Sequence, residues 1–97
     1  MISIKIHVRG DERLLAACDE ELLGMAFSEG EMRLRVSEAF YKGETITEEI
    51  LRERMRSVTI LNLIGERAVS VAVELGFVSR DSTIIVDGVM HAQAVVL

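Results

Sequence analysis

Between Asp81 and Leu97 the sequence reads DSTIIVDGVMHAQAVVL, and the Asp87-Gly88 pair at its centre restricts the fold more than any other feature. A two-residue type I′ turn needs positive φ at both central residues, which Asp-Gly tolerates, and it joins strands only as antiparallel neighbours. The β-rich runs 83–86 and 89–96 on either side therefore form a hairpin. Directly opposed residues share one face of a sheet, so Val86 lies opposite Val89, Ile84 opposite His91 and Ser82 opposite Gln93. The other face carries Thr83, Ile85, Met90, Ala92, Ala94 and Val96, apolar except for Thr83, and is the expected core side. His91 and Gln93 are then left side by side on a partly wet face, a polar step in an apolar strand.

The other end of the chain repeats the device. Residues 2–9, ISIKIHVR, alternate strictly between Ile/Val and polar residues, the period of a half-buried strand. Gly10-Asp11 supplies a II′-type turn, and residues 13–18, RLLAAC, return as the second strand. The tripeptide Arg9-Gly10-Asp11 also spells an integrin-binding motif, but without a secretion signal the hairpin is the better reading. Asp19 is placed as the N-cap of a short helix ending near Phe27, with Glu20 and Glu21 in its first turn and Leu22, Leu23, Ala26 and Phe27 as its stripe. Residues 32–36 alternate as a further strand, and residues 37–41 suit a single helical turn closed by Gly43. Thr47 caps a helix to about Ser57, with Ile46 and Leu51 as a hydrophobic staple. Residues 58–63 fit strand or helix, strand being preferred for 58–61. A helix over 64–75 follows from its 3.6-residue period, with Gly76 just past its end.

These elements predict one α+β domain spanning residues 1–97: a mixed or antiparallel sheet of about five strands, including both hairpins and the strand near 32–36, with the helices at about 48–57 and 64–75 packed on one face. Hydrophobic residues make up 49% and charged residues 28%, the balance of an ordinary globular chain. The net charge of −5, with basic residues interleaved among acidic ones, argues against DNA and other polyanions held by simple electrostatics. One cysteine, Cys18, excludes an internal disulfide and a paired-cysteine zinc motif, which suits a reducing cytosol. No apolar run approaches a membrane span, so a cytoplasmic, membrane-free protein is expected.

Three segments taken together, Cys18-Asp19-Glu20-Glu21-Leu22-Leu23-Gly24, Asn62-Leu63-Ile64-Gly65-Glu66-Arg67-Ala68-Val69 and Asp87-Gly88-Val89-Met90-His91-Ala92-Gln93, resemble the signature of a family of small archaeal proteins known as domain of unknown function four hundred and twenty-four. The resemblance spans essentially the whole chain. Met90 departs from it, standing where the family pattern implies a proline before the histidine. The resemblance implies an archaeal cytosol and names no activity, substrate or cofactor.

Two clusters are the candidate site. His91 and Gln93 pair a titratable nitrogen with a two-ended amide, a combination suited to a small ligand or a nucleotide edge. Asn62, Gly65, Glu66 and Arg67 stand at a loop-to-helix entry, where free first-turn N–H groups and an arginine can hold a carboxylate or phosphate. Glu66 opposes an anion there, and the glycine spacing of a phosphate-binding loop or dinucleotide fingerprint is missing, so no cofactor is indicated. His7 and His91 lack metal-ligand spacing, and no metal is expected. The function so reached is a non-catalytic binding module in a core process such as translation, with an unidentified protein or RNA partner. The alternatives are a small enzyme using His91 as acid or base with Glu66 or Cys18, and a subunit of a homodimer or larger assembly. All of this assumes that the terminal hairpin stands against the entrance of the last helix.

Overall fold

The computed structural model describes residues 1–97. Strands β1 (Ile2–Arg9), β2 (Glu12–Asp19), β5 (Glu44–Ile46), β6 (Ile60–Ile64), β7 (Ile84–Val86) and β8 (Val89–Val95) form a six-stranded sheet in the order β5-β1-β2-β6-β8-β7. The sheet is mixed, because β2 and β6 run parallel while every other neighbouring pair is antiparallel. Strands β3 (Ala26–Glu29) and β4 (Met32–Arg35) form a separate two-stranded ribbon. The helices are α1 (Glu38–Tyr41), α2 (Glu48–Met55) and α3 (Glu66–Glu74).

Both hairpins follow from their turns. Asp87 and Gly88 have φ of 49° and 79°, the type I′ requirement, and Ile84 faces His91 as the alternation demands. The second strand of this hairpin stops at Val95, and its first begins at Ile84, because residues 80–82 coil into a 3-10 turn that carries Ser82 out of the pairing expected with Gln93. At the first hairpin Gly10 alone is positive in φ, and Arg9 opposes Glu12.

One face of the sheet carries the larger core. Ile2, Ile4, Leu15, Ala17, Leu61, Leu63 and Ala92 point there and are covered by Leu51 and Met55 of α2 and Ala68, Val69, Val71 and Ala72 of α3. The helices thus pack where expected, with α2 capped by the Thr47 hydroxyl, which accepts from the Ile50 N–H at 3.2 Å. Helix α3 ends in a Schellman motif: the N–H of Phe77 donates to the Ala72 carbonyl at 2.9 Å, that of Gly76 to Val73 at 3.1 Å, and Gly76 takes φ of 80°.

The expected helix from Asp19 to Phe27 is absent. Residues Glu20–Leu22 make one 3-10 turn and Ala26–Glu29 is strand β3. Leu22, Leu23 and Phe27 do bury part of their surface, but against the second face of the sheet, together with Leu34, Val36 and Tyr41. Gly24 takes φ of 82°, through which a helix does not continue, and the ribbon covers that face in the helix's place. The strand at 32–36 likewise joins this ribbon and not the main sheet. Ile64, expected to open the last helix, instead ends β6, and Gly65 precedes α3 with φ of 107°.

Candidate functional site

The second face of the sheet is read in rows across the strands. His7, Leu14, Ile60 and Val95 form one row, Lys5, Ala16, Asn62 and Gln93 the next, and Ser3, Cys18, Ile64, His91 and Ile84 the third. The ribbon and α1 cover the Cys18–Ile64 end of these rows. The Leu14–Ile60–Val95 end stays open, as a groove of about 370 Å³ that Asn62, Gln93 and Ala94 also line. A smaller hollow of about 220 Å³ adjoins it between Ser82, Ile84, His91 and Gln93.

Asn62 is the fixed polar centre of this face. Its Oδ1 accepts the Tyr41 hydroxyl at 2.6 Å, and the His91 Nε2 lies 3.2 Å from the same oxygen. An amide oxygen only accepts, so His91 carries its proton on Nε2 and keeps Nδ1 as acceptor. Burial depresses the His91 pKa below the ordinary histidine value. A folded-state value below the unfolded one means that the unfolded chain takes up the proton first. The neutral ring therefore contributes stability above about pH 6.5 that is lost as the pH falls below it. Urea unfolding between pH 5 and 7.5 is expected to show stability falling toward acid in the native chain and a flatter profile for His91→Gln; equal slopes would refute the assignment.

The remaining candidates do not join this group. The backbone does bring the hairpin against the entrance of α3, since Ile64 pairs with His91 and the Gly65 N–H donates to the Met90 carbonyl at 2.8 Å. The helix, however, lies on the opposite face from the imidazole. Two of its first-turn N–H groups are occupied: Asp19 Oδ2 accepts from Arg67 at 3.1 Å and Oδ1 from Ala68 at 2.9 Å. The Arg67 guanidinium pairs with Glu21, and Glu66 is exposed beside Ser70 and Arg80. Cys18 is fully buried, and desolvation first, then the Asp19 charge, pushes its thiol up to about 12. No three of the His, Cys, Asp and Glu side chains converge as a metal centre would require.

Two contributors were invisible to sequence reading. Tyr41, the only tyrosine, reaches Asn62 across 21 positions, and nothing in the local run EAFYKG announces it. Leu14, Ile60 and Val95 belong to three strands, and only their shared register makes them a surface.

The family model for a protein of unknown function (DUF424) matches residues 7–97. The chain belongs to that family. A DUF424 chain is also similar in fold to the crystal structure of an uncharacterized conserved protein from Methanopyrus kandleri, with a TM-score of 0.84 at 32% identity over 99% of this chain and 91% of that one. No curated protein matches the chain. No helix of this DUF424 member is long and apolar enough to cross a membrane.

Proposed function

We propose that this protein is a non-catalytic cytosolic binding module, and that the open half of the second sheet face is its recognition surface. The observation that carries this is the composition of the groove: apolar walls from Leu14, Ile60 and Val95 around the Asn62 and Gln93 amides, with Asn62 already oriented by Tyr41 and His91. Apolar walls with a few fixed, uncharged polar groups favour an uncharged ligand surface over a phosphate or a polyanion. The preset amide lowers the ordering cost of binding. Acid-base chemistry is disfavoured because His91 faces a neutral amide, while Cys18 is sealed and Glu66 lies with α3. A polypeptide suits this surface better than RNA, given the net charge of −5 and the absence of any positive side chain lining the groove.

The test is affinity capture from an archaeal lysate with the native chain and with Gln93→Arg, an exposed position where the fold tolerates charge. A species retained by the native chain and reduced at least tenfold by the variant supports the reading, and its identity would show whether translation is the process served. Equal capture by native, Gln93→Arg and Leu14→Glu chains would remove the groove as the recognition surface.

A further inference from the structure

The outer edge of β8 is half covered. Strand β7 pairs with its first residues, through Val86↔Val89, Ile85↔Met90 and Ile84↔His91, and then ends. Past that point the chain peels away into the 3-10 turn Arg80–Ser82, and the 220 Å³ hollow between Ser82 and Gln93 marks the gap. Backbone direction along β8 alternates. Met90 and Val96 point toward β6 and its approach, as shown by the bonds from Gly65 to the Met90 carbonyl and from Val96 to the Thr59 carbonyl. By the same alternation the N–H and C=O groups of Gln93 and Val95 point outward, where no strand stands.

Such an edge pairs with another strand unless something prevents it, and proteins usually prevent it with charge, proline or a bulge. The opposite edge of this sheet follows that practice, since β5 carries Glu44 in an ion pair with Arg54. The β8 edge carries no such device: residues 92–97, AQAVVL, hold no ionisable side chain, no proline and no glycine. Val95 is 68% exposed.

We propose that this edge pairs antiparallel with the same edge of a second copy, Val95 facing Val95 across a two-fold axis. Two features select a second copy over an unrelated strand. The apolar row Leu14–Ile60–Val95 stops abruptly at the edge, and the two-fold operation continues it into its own mirror order on the second chain. Each chain carries −5 overall, yet residues 92–97 bring no charged side chains together along the paired strands. This interface goes beyond the groove reading and stands even if the groove binds nothing.

Sedimentation of the native chain over a range of concentrations is expected to show reversible doubling of mass. Amide exchange is expected to slow at Gln93 and Val95 as concentration rises, by at least tenfold. Val95→Pro removes only an outward N–H, which an edge position tolerates, so it should leave a folded monomer. A mass of one chain at every concentration, or a dimer that Val95→Pro leaves intact, would overturn the proposal. A dimer whose Gln93 and Val95 amides exchange as freely as in the monomer would place the interface elsewhere and overturn it equally.

Discussion

Asp19→Ala is expected to destabilise the fold by about 3 kcal/mol, made up of a lost helix cap and a buried N–H left without a partner. The carboxylate is 4% exposed at the end of β2 and accepts from both Arg67 and Ala68, the latter buried at the start of α3. It thereby ties the N-terminal hairpin to a helix 48 positions away. Burial pushes the carboxyl above the usual carboxylate range, opposed by the two N–H groups and by Arg67, so the expected loss is the net of gain and desolvation. Urea unfolding measures it as a lower midpoint at unchanged slope. A loss under about 1 kcal/mol would show that water replaces the carboxylate at no great cost.

Gly65→Ala is expected to cost more, about 4 kcal/mol, from two separable sources. Gly65 sits at φ of 107°, which L side chains rarely adopt, and a Cβ there would fall 2.6 Å from Asp19 Oδ2. The carboxylate cannot retreat without releasing the helix N–H groups it holds. With Asp19 already replaced by Ala, the collision disappears and only the backbone strain of about 2 kcal/mol remains. A double-mutant cycle on unfolding free energy should therefore show coupling of about 2 kcal/mol between positions 19 and 65. Strict additivity would mean that backbone strain alone makes glycine necessary.

The same pair shows how far sequence reading reached. Asp19 was recognisable as a helix cap from its side chain and its place after a strand, yet it caps α3 and makes no such bond to the turn that follows it. Capping chemistry is local in type but not in partner: any carboxylate that reaches free first-turn N–H groups will serve. Gly65, Glu66 and Arg67 suggested an anion site for the same reason, and the anion at that helix end is the chain's own carboxylate. In the C-terminal hairpin the position of His91 followed from Asp87-Gly88 alone, because a two-residue turn and a period of two leave no freedom in register.

What the sequence determined by itself is whatever depends on neighbours along the chain: the two hairpins and their faces, the caps at Thr47 and Gly76, and helices α2 and α3. Tertiary structure alone decided which strands became neighbours. It set β6 between β2 and β8, brought Tyr41 onto Asn62, and sent residues 26–35 into a ribbon over the second face. Pairing β2 with β6 depends on burying both faces of the central strands at once. That gain belongs to the assembled sheet and leaves no mark on any single segment.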